Sequence, residues 1–251
     1  MTITLSVVTP TLNAEPYLSE CLASLQQQGT TTIEHLVVDG GSMDRTLDIV
    51  RDEKNAICLI RPGSNQAAAI NEGLRQATGE IVAWLNADDA YPPGAVATVA
   101  ECFASEPDLD VLVGDCAVIG PEGEPLWHER PGPYDFERLL RRGNYLPQPA
   151  VFLRRRTLQS IGLLDESLEY TMDYDLWLRL KRARVRYVPQ VLAVFRWHPG
   201  SKTARNVLGN WRENIRVVRR HGGGWTPQLV WSLSRALVST TKSRLLSRRA
   251  Q

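Results

Sequence analysis

Apolar residues recur along the chain in two alternating rhythms. Short runs at Ile3 to Thr9, Ile33 to Val38, Ala56 to Ile60, Glu80 to Asn86 and Asp110 to Ile119 have the length and Val/Ile/Leu content of strands, and Ile81 to Leu85 is continuous enough to be buried on both faces. Between them, apolar residues stand three and four apart, the spacing of a helix with one face turned inward. Glu15 to Gln28 places Leu18, Leu22 and Leu25 on one face and has Pro16 in its first turn. Ser42 stands where it can cap a helix with Leu47 and Val50 inward, and Gln66 to Ala77 and Pro93 to Ser105 follow as further helices. This alternation is that of parallel βαβ units, so the pattern predicts an α/β protein with a mostly parallel central sheet flanked by helices. After a predicted hairpin at "GPEGEP" (120–125) the pattern loosens. Helices are predicted over 135–142, 173–184 and 206–220, with a strand-rich stretch over 185–197.

Composition adds little until charge is divided along the chain. The 251 residues, 43% hydrophobic and 23% charged, suffice for one substantial α/β domain with a small appendage. The formal charge of +1 hides an asymmetry: from Arg196 onward there are twelve Lys or Arg and one acid, Glu213, which leaves 17 bases and 27 acids before it. An acidic body precedes a basic tail. The four cysteines, Cys21, Cys58, Cys102 and Cys116, show no zinc-type spacing and read as reduced core residues of a cytosolic protein. No basic segment precedes the first apolar run as in a signal peptide, and no run reaches the roughly 18 apolar residues of a spanning helix, so a cytoplasmic location is expected. No dinucleotide fingerprint, P-loop or zinc-protease motif occurs.

Polar residues collect at the ends of the predicted strands. The first four end in "TPTLN", "DGGS", "RPGSNQ" and "NADD". Turn chemistry accounts for any one of these; four at the carboxyl rim of a parallel sheet, where such folds bind ligands, favour a site. Asp88 and Asp89 repel each other unless a cation or solvent intervenes. Hard divalent ions take one or two carboxylates and complete their shell with phosphate oxygens and water, so the pair suggests a metal bound together with a diphosphate. The other reading is a capped turn before the helix at Pro93.

Four stretches carry a family resemblance: "VVTPTLNAEPYLSECLASL", "LVVDGGSMDRTLDIV", "NQAAAINEGLRQATGEIVAWLNADDAYPPGA" and "MDYDLWLRL". Together, over residues 3 to about 203, they resemble glycosyltransferase family 2, enzymes of the GT-A (Rossmann-like) fold that move a sugar from a nucleoside diphosphate to an acceptor hydroxyl with inversion. The resemblance implies a nucleotide-sugar half over about 1–120 and an acceptor half over about 121–203; beyond it, charge and apolar spacing predict a basic amphipathic helical tail over 204–251. It implies that Pro10, Thr11 and Asn13 line a nucleoside pocket and that Asp39 accepts a hydrogen bond from the base. Uracil offers an N3 donor to such an acceptor, which makes UDP the favoured nucleotide, and guanine offers donors as well. Gln66 and Asn71 are implied beside the nucleotide and sugar. Asn86-Ala87-Asp88 takes the place of the family's DxD motif, with Asp88 the ligand of Mn²⁺ or Mg²⁺ and Asp89 assisting through water or orienting the donor. Ala68 stands where related sequences carry an Asp, and Met172 where they carry a Glu.

Inverting displacement needs charge neutralised on the leaving diphosphate and a proton removed from the acceptor. The resemblance assigns the second task to Asp173, although Asp173 and Asp175 also suit a helix N-terminus electrostatically. It puts His198 in the metal or diphosphate shell, Lys202 against phosphate charge and Gln148 on the acceptor side, where a carbohydrate or lipid-linked acceptor binds. Arg154 to Arg156 read equally well as a solvated helix start. In the tail, Leu229, Leu233 and Leu237 share a helical face among Trp, Arg and Lys, as in a peripheral anchor on an anionic membrane. The alternative is a helix packed on the catalytic domain or on the partner subunit of a homodimer; nucleic acid is disfavoured because no binding module accompanies the basic residues. Two other functions compete: a sugar nucleotidyltransferase, against which the first strand's loop lacks glycines and basic charge, and a non-catalytic nucleotide-sugar-binding protein.

Overall fold

The computed structural model describes residues 3–29, 32–202 and 206–224. Four parallel strands form its first half: β1 (Leu5–Thr11), β2 (Ile33–Asp39), β3 (Ala56–Ile60) and β4 (Ile81–Trp84), lying side by side in the order β3-β2-β1-β4. Beyond β4 the sheet becomes mixed. β7 (Val151–Arg154) runs antiparallel between β4 and β5 (Val111–Ile119), and β6 (Pro125–Glu129) continues the hairpin predicted at 120–125. β8 (Val185–Arg196) lies parallel to β5 and completes an eight-stranded sheet. The helices are α1 (Glu15–Gln26), α2 (Thr46–Asp52), α3 (Gln66–Gln76), α4 (Ala95–Ser105), α5 (Phe136–Arg142), α6 (Arg155–Ile161), α7 (Met172–Arg179) and α8 (Val207–Arg220).

Alternate residues of β4 serve opposite faces, as the pleat requires. Val82 and Trp84 join a core with α3 and α7, while Ile81 and Ala83 join one with α4. Trp84 stacks on Trp177 of α7, with ring centroids 5.5 Å apart, so the strand that leads to Asp88 is seated on the helix that carries Asp173. α3 begins at Asn65, whose side chain accepts from the Ala68 amide, and it lies very close to β1: a Cβ on Gly73 would fall 2.5 Å from Val8 Cγ1.

Several expectations are corrected. α2 starts at Thr46 because Ser42 is spent on Asp39 and does not cap it. α7 ends at Arg179 and tightens into a 3₁₀ turn at Leu180–Arg182, short of 184. Arg154 is not solvated; it is 3% exposed, donates to the carbonyls of Leu109, Phe103 and Glu106, and pairs with Glu80. Each nitrogen of the buried guanidinium thus meets an acceptor. Cys58 is exposed on edge strand β3, whereas Cys21, Cys102 and Cys116 are buried, and all four thiols are free.

Residues 206–224 do not hang free of the body. Val217 and Val218 of α8 are buried in the principal core. The Leu229, Leu233 and Leu237 face lies outside the described residues. Among the described residues no helix is long and apolar enough to cross a membrane.

Candidate active site

The carboxyl ends of β1, β2 and β4 open onto a cleft of about 910 Å³. Its walls are residues 10–14, Gly40, residues 64–66 and 86–88, and it is closed by Glu169, Tyr170, His198 and Lys202. Pro10, Thr11, Asn13, Gln66, Asn86, Asp88, His198 and Lys202 therefore share one cleft. Asp39, Asn71, Asp89, Gln148 and Asp173 are not on its lining.

Asp39 is sealed beneath one rim. Thr11 Oγ1 donates to it at 2.9 Å, the Gly41 and Ser42 amides at 2.9 and 2.8 Å, and Ser42 Oγ at 2.6 Å. Burial pushes its pKa up, but these donors outweigh burial and hold it below the usual carboxylate value. Its acceptor positions are filled, so a base N–H reaches Asp39 only if a donor such as the Ser42 hydroxyl lets go. Gly41, at φ +100°, is what allows its amide to turn back onto the side chain. Asn13 completes this rim with a left-handed backbone at φ 51°; its amide donates to Ser42 Oγ and its Oδ1 accepts from the Met43 amide. The loops after β1 and β2 are thus joined before any ligand arrives.

A chain of amides runs inward from the cleft. Lys202 Nζ donates to Gln66 Oε1 at 3.3 Å, and Gln66 Nε2 donates to Asn86 Oδ1 at 2.8 Å. Asn86 Nδ2 donates to Asp89 Oδ2 at 3.0 Å and Gln148 Oε1 at 3.1 Å, and Gln148 Nε2 donates to the Trp84 carbonyl. Gln148 is thereby committed at both ends, behind the cleft rather than in it. An Asp in place of Asn86 could not donate to Asp89 and would repel it, which gives the amide at this position a physical reason.

The two adjacent carboxylates point apart. Asp89 is 2% exposed and accepts from the Arg196 amide; burial first, and the charge of Asp88 second, raise its pKa well above the usual value. Asp88 faces the cleft, and its Oδ2 stands 3.0 Å from His198 Nε2, with Tyr17 packed against the imidazole. Among the described residues no group of three or more His, Cys, Asp and Glu is placed to hold a metal ion. One carboxylate and one imidazole converging in a cleft still fit a hard cation that draws its remaining ligands from diphosphate and water.

Asn71 belongs to the frame. It is 1% exposed, donates to the Leu164 carbonyl and Glu166 Oε1, and accepts from the Leu164 amide, tying α3 to the loop before α7. Asp173, in the first turn of α7, is half-buried; burial lifts its pKa to about 6 against the opposing bond from Asn144 Nδ2 at 2.8 Å. It stands three residues beyond Tyr170, which does line the cleft.

The sequence profile of Glycosyl transferase family 2 matches residues 6–159. The chain belongs to that family. An uncharacterized glycosyltransferase of Rickettsia typhi is 30% identical over 213 residues, which is 79% of this chain and 65% of that protein, so the chain spans less than two thirds of this relative. A PGL/p-HBAD biosynthesis glycosyltransferase of Mycobacterium bovis is 33% identical over 180 residues, 69% of this chain and 68% of that one. Two solved structures share the fold. S. aureus TarS 1-349 in complex with UDP-GlcNAc has a TM-score of 0.69 at 21% identity, covering 94% of this chain and 72% of that one. The mannosyltransferase PcManGT from Pyrobaculum calidifontis, in complex with GDP-Man and Mn²⁺, has a TM-score of 0.63 at 20% identity, covering 100% of this chain and 80% of that one.

The family motifs did not reveal every residue of the site. Arg196 is 3% exposed, donates to the carbonyls of Asp88, Gly120 and Pro121, pairs with Glu20 and lies over Tyr17. It bolts the β5–β6 turn to the Asp88 loop; a lone arginine closing the apolar run "VLAVF" was the available signal. Nothing in the sequence marked Glu169 and Tyr170.

Proposed function

We propose that the chain transfers a sugar from a nucleoside diphosphate, UDP in the first instance, to an acceptor hydroxyl by a single inverting displacement. The observation that carries this reading is the meeting of Asp88 and His198 at 3.0 Å in the same cleft as Lys202 and the joined rim of residues 10–14. Asp88 and His198 are the residues that hold a divalent cation, Mn²⁺ or Mg²⁺. When bound, the cation supplies the positive charge that the departing diphosphate requires. Lys202, already paired with Glu169 at 2.8 Å, adds a second cation against the phosphates once the donor competes for it.

The proton of the acceptor hydroxyl goes to Asp173. A carboxyl with a pKa of about 6 is mostly ionised at neutral pH, yet basic enough to pull on a hydroxyl as the bond to the anomeric carbon forms. Asn144 holds that carboxylate in place. The acceptor belongs to a surface polysaccharide or glycolipid under assembly, a reading in keeping with a relative, 34% identical over 193 residues, named as an O-antigen biosynthesis protein of Myxococcus xanthus. The excess of basic residues after Arg196 supports a peripheral position at the cytosolic face of an anionic membrane.

Incubation with UDP-glucose, UDP-galactose, UDP-GlcNAc and GDP-mannose, in Mn²⁺ or in EDTA, tests the proposal through release of nucleoside diphosphate. Metal-dependent release from a UDP-sugar that Asp88→Ala abolishes is the expected result. Equal release in EDTA, or none from any donor, contradicts it.

A further inference from the structure

The single acid after Arg196 is placed where the cleft needs it. Glu213 stands midway along α8, outside the family-matched residues, and its carboxylate collects three successive backbone amides: Glu169 N at 2.9 Å, Tyr170 N at 2.7 Å and Thr171 N at 3.3 Å. Thr171 Oγ1 adds a fourth bond at 3.3 Å. Consecutive amides turned to one point form a nest for an anion, and here the anion is supplied by another helix of the same chain. α7 has no side-chain cap at Thr171, and Glu213 holds the backbone that leads into it up to the Thr171 amide.

The turn so held is functional ground. Glu169 and Tyr170 line the cleft, Lys202 pairs with the first and lies over the ring of the second, and Asn206 Nδ2 donates to the Tyr170 hydroxyl. Asp173 follows two residues after Thr171. The far end of α8 is fastened to the same region: Arg220 pairs with Asp165 at 2.7 Å, and His221 Nε2 lies 3.0 Å from Asp175 Oδ1. With α8 fixed by these contacts and by Val217 and Val218, the Glu213 carboxylate is a stationary post.

We propose that Glu213 is a positioning residue of the catalytic centre, holding the turn 169–171 so that Tyr170 stays in the cleft wall and Asp173 stays in register with the acceptor. This rests on the transferase reading above for its kinetic consequence, but not for the contact itself. α8 is on this account part of the active site rather than the start of a tail.

Hydrogen–deuterium exchange and turnover on the full chain test it, comparing wild type with Glu213→Ala, Glu213→Gln and, as a control on the exposed side of the same helix, Arg216→Ala. In Glu213→Ala, exchange over 169–174 should rise about 10-fold or more while β1 to β4 keep their protection, since bonds to a charged acceptor are lost there alone. Glu213→Gln, with one acceptor oxygen, should fall between. Turnover per folded molecule should drop about 10-fold in Glu213→Ala, with affinity for the donor nucleotide within about 3-fold, because the rest of the cleft is carried by other elements. Arg216→Ala should match wild type in both. Unchanged exchange over 169–174, or raised exchange with unchanged turnover, overturns the proposal. If Glu213→Ala does not fold, Glu213→Gln decides by the same two readings. If wild type turns over no donor, the transferase reading falls, and the clamp stands or falls on exchange alone.

Discussion

Asp88 and His198 are separated by 110 positions in the chain, yet Oδ2 of one and Nε2 of the other lie 3.0 Å apart. Asp89, next to Asp88, turns away into a buried contact with the Arg196 amide and Asn86. Adjacent carboxylates thus do different work: one faces the cleft and the other anchors the loop that presents it.

That division depends on the amide of Asn86. Asn86→Asp removes the donor to Asp89 and sets a further negative charge beside it, so a loss of about 1–3 kcal/mol at pH 7.5 is expected, read from urea melts. Unchanged stability would mean that Asp89 does not rely on this amide.

Asp173→Asn should retain nucleotide affinity and lose transfer by about 10²- to 10⁴-fold, the range for removing a general base. The pH profile provides a second reading. With its pKa raised to about 6, Asp173 is protonated and inactive below that value, so the wild-type rate should rise with pH through 6 and level off above neutrality. A residual rate in the variant that climbs through the same window would assign the base elsewhere.

Asp39→Asn tests the rim. The native pKa is held below its ordinary 3.8 by Ser42, Gly41 and Thr11, so the unfolded chain takes up this proton first. The stabilisation is therefore fully present above pH 4 and lost as pH falls through the depressed native value. The variant should be less stable than wild type by about 2–3 kcal/mol at pH 7, and the gap should narrow toward pH 3 in denaturant melts at both values. A gap independent of pH would contradict the bonding described.

Asn71→Ala should lower stability by about 2–4 kcal/mol, since it strands the amide and carbonyl of Leu164 in a buried setting, while nucleotide affinity measured by calorimetry stays within about 2-fold. A large loss of affinity at unchanged stability would return Asn71 to the ligand.

Much of this was legible in the sequence, and what escaped has identifiable causes. The parallel half of the sheet was readable because apolar strands and one-sided helices leave clear signals, and even the half-exposed edge strand Ala56–Ile60 has the bounds that its pattern predicts. β7 was missed because four residues carry no period, and Arg154 in particular disguises a buried position, its charge neutralised by carbonyls distant in sequence. Motif residues of the loops beyond the strands gather at the cleft, as Asp88 beyond β4 does. Asp39 and Asn71 share motif positions with cleft residues but spend their polar groups on neighbouring backbone, a distinction that depends on who stands within 3 Å and not on residue type. Glu213 was invisible for a related reason: its partners are backbone amides, which have no letter in a sequence.

On the proposed function, Asp88 and His198 hold a divalent cation against a diphosphate, and electron paramagnetic resonance of Mn²⁺ reads this most directly. Free Mn²⁺ signal should fall on adding wild-type protein with UDP beyond the loss that UDP alone produces, and Asp88→Ala and His198→Ala should each abolish the difference. Wild type that retains no additional Mn²⁺ with UDP or GDP, or variants that retain as much as wild type, would contradict it.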